Sequence, residues 1–366
     1  MYNVIIYPTT ISQYSTQVYA GLFNLCRDRK LNIKIAPRIP DLPRWVNASG
    51  YLLYIEIKEQ ISGKKKKILF DLADSGRLVA PDVVPYVDYV SKRSFSENLL
   101  KDFPNSIRRK IHPYGVNYSC SSPNVPIIKL FLSHHLLEIK RNFLGYLNPK
   151  PGRIRQNARF LLNILKNNKY SLFEDEFRNI QEEGDLHDIF FITRLFTSPR
   201  NPDGLSHISH QRINLIEKLH AHFGSRFFGG IEDDPVSRAH CRPELLIPRM
   251  PRREYLTHMK NSRIVIVIIG ANKSNPWKLG EALAASSCVV CGDLEYSLPV
   301  SLVDNIHYRK FHNPNDCIQI CEDLLNNLGK IASIKLAAAD YYENNIKSDA
   351  IVSRVIEQAF SESEFN

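Results

Sequence analysis

The run RIVIVIIG, Arg263 to Gly270, is apolar at each position from Ile264 to Ile269. A strand with one wet face alternates polar and apolar residues, so an unbroken run means a strand covered on both faces, as in a parallel sheet between two helix layers. The chain continues through a polar loop, ANKSNP, into WKLGEALAAS at helical spacing, and then into a second apolar run, CVVCGD. Strand, helix and strand in that order form a right-handed crossover unit, and the fold class is α/β.

The same alternation recurs along the chain. In the first half NVIIYP, NIKIA, GYLLYIEI, KILFDLAD and VDYVSKR read as strands and YSTQVYAGLFNLCRDR as a helix, so parallel units are expected there too. Phe131 to Lys169 reads as largely helical, interrupted by LNPKPGR, and EEGDLHD then breaks the pattern. DIFFITRLF and SRFFGGI are further strands, SHQRINLIEKLHAHF and PRREYLTHMKNS further helices, and the tail from Asp316 is helical. At 366 residues the chain exceeds the usual size of one core. Two doubly wound domains are expected, over 1–175 and 188–366, with the C-terminal helices belonging to the second.

Charge narrows the partners. A formal net charge of +10 favours anions, whether nucleotide phosphates, an anionic membrane surface or nucleic acid. Nucleic acid is set aside because the chain has no aromatic-rich RNA-binding strand and no compact basic recognition helix. The run GKKKK, Gly63 to Lys67, reads as a solvated hairpin turn that also suits anionic lipid headgroups. No stretch is apolar and uncharged for the roughly 18 residues of a membrane span. The N-terminus, MYNVIIYPTT, lacks the basic and small-residue features of a secretory leader. Seven scattered cysteines, an odd number without framework spacing, read as reduced cytosolic thiols. Cys288 and Cys291 form a CxxC, but inside a strand they point to opposite faces and read as core. His134, His135, His207 and His210 have no metal-ligand spacing, so no metal and no cofactor is expected.

In open parallel sheets ligands bind beyond the carboxyl ends of strands, where loops meet helix N-termini. The loop after IFFIT carries Arg194 and Arg200, and paired guanidinium groups suit a pyrophosphate. The loop after IVIVIIG carries Gly270 for an abrupt turn, Asn275, Pro276 for the first helical turn, Trp277, and Lys278 where helix N–H groups already favour an anion. Glu281 shares a helix face with Lys278 and suits ribose or sugar hydroxyls, with simple helix capping as its plain alternative. Trp277 suits stacking on a base or packing in a wall.

These residues resemble the GT-B glycosyltransferases, especially bacterial surface-polysaccharide enzymes of the group 1 and exostosin-like branches. The resemblance covers Asp188 to Leu325 best, through FITRLF, EYLTHMKNSRIVIVIIG and NPWKLGEALAASSCVV. It implies two Rossmann-like doubly wound domains facing a central cleft. It also implies that Arg194 and Arg200 hold a donor diphosphate and that Glu281 bonds the ribose. Retaining members often carry a second Glu eight positions before the helix Glu, and here that position is Lys273. No intact DxD occurs, in keeping with enzymes of this type that need no divalent ion.

The first domain is then expected to take the acceptor. FDLADSGRL offers Asp71 and Asp74 as candidate catalytic bases, VSKRSF offers Lys92 and Arg93, and KIHPYGVNYS offers His112 and Tyr114. The reading is a metal-independent glycosyltransferase moving a sugar from a nucleotide-sugar donor to a glycan or lipid-linked acceptor in surface polysaccharide synthesis, such as lipopolysaccharide. It is placed in the cytoplasm, in peripheral contact with the inner face of the membrane. A nucleotide-sugar epimerase or hydrolase of the same architecture is the nearest alternative, and a basic nucleic-acid-binding protein a more distant one.

Overall fold

The computed structural model describes residues 1–37, 42, 50–141, 171–178, 187–198, 201, 204–270 and 272–361. Arg200, and the part of the expected helical stretch that follows Arg141, lie outside the described residues. The chain divides into two compact units. The first comprises Met1–Glu176, Tyr296–Pro299 and Asn345–Asn366, and the second Phe177–Glu295 and Val300–Asn344.

The sheet of the first unit is built from β1 (Tyr2–Tyr7), β2 (Leu31–Ile35), β3 (Leu52–Glu59), β4 (Lys65–Asp71), β5 (Tyr89–Lys92) and β6 (Ile111–Pro113). Their order is β2-β1-β3-β4-β5-β6. Helix α1 (Thr16–Arg27) joins β1 to its parallel neighbour β2. The short helices α2 (Glu97–Leu100) and α3 (Asn105–Arg108) lead to β6, and α4 (Ile127–Arg141) follows it. The expectation of parallel units throughout fails at one strand: β3 runs antiparallel to both β1 and β4. The cause is the connection. Only Gln60 to Lys64 lie between β3 and β4, a hairpin's length, whereas parallel neighbours need a crossover of a dozen residues or more. The GKKKK run does sit at this hairpin, with Gly63 at φ 71°.

Both faces of this sheet are covered, which explains its near-continuous apolar strands. Val4, Ile6, Leu53, Ile55, Ile68 and Phe70 enter one core, while Tyr7, Leu52, Tyr54 and Leu69 enter another. A second correction concerns the chain's end. Helix α11 (Ser348–Ser361) belongs to the first unit, where Ile351, Val352, Val355, Ile356 and Phe360 join the core of α1 and β1. The two helices meet closely: a Cβ on Gly21 of α1 would lie 2.0 Å from the Ser348 carbonyl.

The second unit holds β7 (His187–Thr193), β8 (Phe227–Glu232), β9 (Leu246–Ile247), β10 (Ser262–Val267), β11 (Cys288–Gly292) and β12 (Arg309–Phe311). All are parallel, in the order β12-β11-β10-β7-β8-β9. Helices α5 (His207–Phe223), α6 (Pro235–His240), α7 (Arg252–Lys260) and α8 (Trp277–Ala284) make the crossovers, and α9 (Pro314–Leu325) and α10 (Leu328–Asn345) follow the last strand. The chain winds outward from β7 in one direction and then returns to wind from β10 in the other, a doubly wound Rossmann-like sheet whose order reverses between β7 and β10. Cys288 and Cys291 are both buried in β11, and burial pushes both thiols up to about 12, so the CxxC is core.

Candidate functional site

In the second unit the ladder between β7 and β10 pairs His187 with Ser262, Ile189 with Ile264 and Phe190 with Val265, and goes no further. Beyond it lie the carboxyl ends of the two strands at which the sheet order reverses, where open parallel sheets take their ligands. Arg194 emerges here, exposed, immediately after β7. Its guanidinium lies 5.3 Å from the centre of the Phe196 ring. Opposite it, the loop after β10 closes on itself: Gly270 N–H donates to the Ser274 carbonyl (2.9 Å) and Lys273 N–H to the Gly270 carbonyl (3.0 Å). Glycine suits the position by proximity, since a Cβ on Gly270 would lie 2.5 Å from Ser274 Oγ, which would have to turn away. Lys273 adopts φ 58° and turns outward to Glu295, 3.1 Å away. Asn275 is buried, Pro276 caps α8 and Trp277, half-buried, opens it.

Lys278 is half-buried and turned back onto the sheet. Its ammonium donates to the Ile192 carbonyl on the last turn of pleat of β7 and lies 5.4 Å from the Tyr255 ring centre. Burial first, and Arg212 second, push its pKa down to about 7, against the pull of Glu281 and Glu232. Glu281 is only 3% exposed. One of its oxygens is held by Arg252 from α7, whose guanidinium stands 5.0 Å over Tyr255. The other, Oε2, is buried without a hydrogen-bond partner among the described residues. A carboxylate oxygen in that position can accept from a hydroxyl brought by a ligand.

Two contributors escaped the sequence reading. Arg252 sits in the first turn of a helix in which the sequence reading picked out no residue. Arg212 is the more legible of the two: in HISHQRINLIEKLHAHF it falls on the stripe marked by Ile208, Leu215, Ile216 and Leu219, all buried. An arginine on an apolar stripe is the signal, because charge is buried only where a partner holds it.

The first unit's candidates gather at the carboxyl ends of β4 and β5. Asp71, 1% exposed, pairs with Lys92 (3.0 Å) and accepts from the backbone of Ala73 (3.2 Å) and Val79 (2.9 Å). Its oxygens are occupied and enclosed, which suits a structural carboxylate better than a base. Lys92 is likewise buried on Asp71, with burial pulling its pKa down, so it is no acceptor-side cation. Asp74 is different: it pairs with buried Arg93, and Tyr14 Oη stands 3.5 Å from its Oδ2, yet a third of its side chain is open. Burial and then Asp74 push the Tyr14 hydroxyl up to about 12. Tyr114 faces the interior, donating to Gln17 Oε1 (3.1 Å) against Phe70, and so lies in the core rather than on an acceptor surface. His112 stacks flat on Tyr89 at 4.4 Å, and burial lowers its pKa. Asp74 and Arg93 thus stand together; Tyr114 is enclosed in the core, and His112 is half-buried against Tyr89.

No family model matches the chain, and no curated protein matches it. Among solved structures it is similar to the Anabaena protein HepE in complex with UDP and glucose (12% identity, 77% of this chain and 66% of that one, TM-score 0.41). It is also similar to a glycosyltransferase from Rickettsia africae (13% identity, 79% and 80%, TM-score 0.37). A third, TarM, gives 15% identity over 50% of this chain and 36% of its own, with a TM-score of 0.34, so the chain spans about a third of that protein. With likenesses this distant, the chemistry rests on the residues themselves.

Proposed function

We propose that the chain is a glycosyltransferase whose second unit binds the diphosphate of a nucleotide-sugar donor at the carboxyl ends of β7 and β10. The observation that carries this reading is the buried Glu281 carboxylate, one oxygen held by Arg252 and the other without a donor among the described residues, beside a strand end bordered by cations. A ribose hydroxyl supplies that donor. Arg194 and the N-terminus of α8 take the phosphates, with Arg200 as a second cation. As the bond from the anomeric carbon to the diphosphate breaks, negative charge grows on the leaving oxygen, and fixed cations stabilise it without need of a divalent ion.

The acceptor hydroxyl forms the new bond to the anomeric carbon and gives up its proton. Asp74 is the preferred base, since its partly open carboxylate can reach a hydroxyl, whereas Asp71 is enclosed. A glycan or lipid-linked acceptor, a place in surface polysaccharide synthesis, and work at the cytoplasmic face of a membrane are parts of the same proposal, carried by the resemblance. Among the described residues no helix is long and apolar enough to cross a membrane.

Calorimetry with a set of nucleoside diphosphates tests the donor site: at least one should bind, and Arg194→Ala and Glu281→Ala should each weaken it. Absence of binding to all of them, or binding indifferent to both substitutions, overturns the reading. Product analysis without an acceptor then separates transfer from epimerisation or hydrolysis, in which the donor turns over alone.

A further inference from the structure

Arg212 of α5 stands where the sheet's order reverses. Its Nη1 donates to the Arg194 carbonyl (2.7 Å) and its Nη2 to the Ile269 carbonyl (3.0 Å), one beyond each of the two strand ends. Because the backbone ladder between β7 and β10 stops at Phe190 and Val265, this fork bridges two segments that no ladder hydrogen bond joins. The side chain is 6% exposed and its Nε has no acceptor among the described residues. Its guanidinium lies 4.8 Å from the centre of the same Phe196 ring that Arg194 approaches at 5.3 Å. Ser209, on the same helix, fixes that ring's backbone from both sides, accepting from Phe196 N–H (2.7 Å) and donating to its carbonyl (2.9 Å).

Such an arrangement is costly in isolation. A guanidinium buried on neutral carbonyls, beside a second guanidinium, lacks the counter-charge that normally accompanies burial. Burial and Arg194 accordingly pull its pKa down to about 10. The planar fork is also specific: two donors at fixed spacing meet two carbonyls, which a lysine's single ammonium does not reproduce.

We infer that Arg212 is a positioning residue for the donor diphosphate, tying the Arg194 segment to the turn that carries Ile269, Gly270, Lys273 and Ser274 so that both border one anion site. This rests on the donor-site reading above. Arg212 touches backbone rather than phosphate, and acts through the segments it joins.

Inorganic pyrophosphate is the probe, since it carries the diphosphate without base or sugar. Arg212→Gln and Arg212→Lys are each expected to bind it about tenfold more weakly than the native chain, with melting temperatures close to native. In an Arg194→Ala background, Arg212→Gln should cost little more, because its effect runs through Arg194; a merely structural role gives full additivity instead. Hydrogen exchange on the unaltered chain needs no variant: pyrophosphate should protect the amides near Leu195–Phe196 and those near Lys273–Ser274 together. Native affinity in a folded Arg212→Gln chain, additive losses, or protection of one segment alone each overturn the inference while Arg194→Ala still weakens binding. Failure of the native chain to bind any diphosphate overturns the donor-site reading itself, and this inference with it.

Discussion

At the carboxyl end of the first sheet, carboxylates and cations meet each other: Asp71 with Lys92, Asp74 with Arg93. At the carboxyl end of the second, cations end on backbone carbonyls, Lys278 on Ile192 and Arg212 on Arg194 and Ile269, while one buried oxygen of Glu281 has no hydrogen-bond partner among the described residues. Both regions are built from the same residue types at the same place in an α/β layer. The difference lies in closure. A closed pair contributes to architecture and has little left for a ligand; cations that rest on neutral groups, and a carboxylate half-spent, leave charge with which a ligand can pair.

The largest effect expected from this contrast is at Asp71. Asp71→Asn leaves the Lys92 ammonium buried and unpaired, and should lower stability by about 3–5 kcal/mol in a denaturant titration. Adding Lys92→Met in the same chain should recover much of that loss. An Asp71→Asn midpoint equal to native would show that the pair is not structural and would return Asp71 to candidacy as a base.

Next in size is Gly270→Ala. Its new methyl meets Ser274 Oγ at 2.5 Å, and an overpacked contact of that kind costs about 1–3 kcal/mol. Ser274→Ala in the same chain removes the clashing oxygen and should restore both the melting temperature and pyrophosphate affinity. If the double variant is no better than the single one, the turn's shape does not depend on this contact.

Much of this architecture was legible in advance, for reasons that also explain the failures. Runs such as IVIVII and CVVC announce doubly covered strands, because burial on two faces abolishes alternation. The antiparallel β3 was hidden, since its run, LLYIEIKE, is as apolar as a parallel strand and only the shortness of Gln60–Lys64 marks the hairpin. Edge strands β6, β9 and β12 are two or three residues long and leave too little period to detect. At the site, loop cations after strand ends could be picked out by chemistry, but depth could not: nothing local separates Lys92 and Tyr114, which are buried, from Arg194, which is exposed. Arg212 shows the reverse, a residue the sequence reading passed over although its position on the apolar stripe marked it for the interior.

Glu281→Gln sharpens the contrast at smaller scale. Its partner Arg252 is well exposed and can return to water, so stability should change by less than about 1 kcal/mol, unlike Asp71→Asn. Affinity for the nucleoside diphosphate that binds best should fall about tenfold, as a charge-assisted hydrogen bond to ribose weakens. Pyrophosphate, which lacks ribose, should bind no worse. Equal losses for both probes would mean that Glu281 acts on the phosphate site rather than on a sugar hydroxyl.

The smallest effect separates binding from folding by sign. With its pKa pushed down to about 7, Lys278 is a cation below that pH and a neutral amine above it, so its help to an anion is present at lower pH and lost as pH rises through about 7. Expressed as a ratio to Lys278→Met, which cancels the ligand's own titration, pyrophosphate affinity should therefore fall across that range. Stability should move the other way. In the unfolded chain the ammonium regains its ordinary value of 10.5, so between the two values the unfolded state holds more protons and stability rises with pH. Opposite slopes for affinity and stability, both flattened by Lys278→Met, are what a half-buried cation on the Ile192 carbonyl at the proposed anion site requires; parallel slopes, or a pH profile that Lys278→Met leaves unchanged, would show that its charge serves neither.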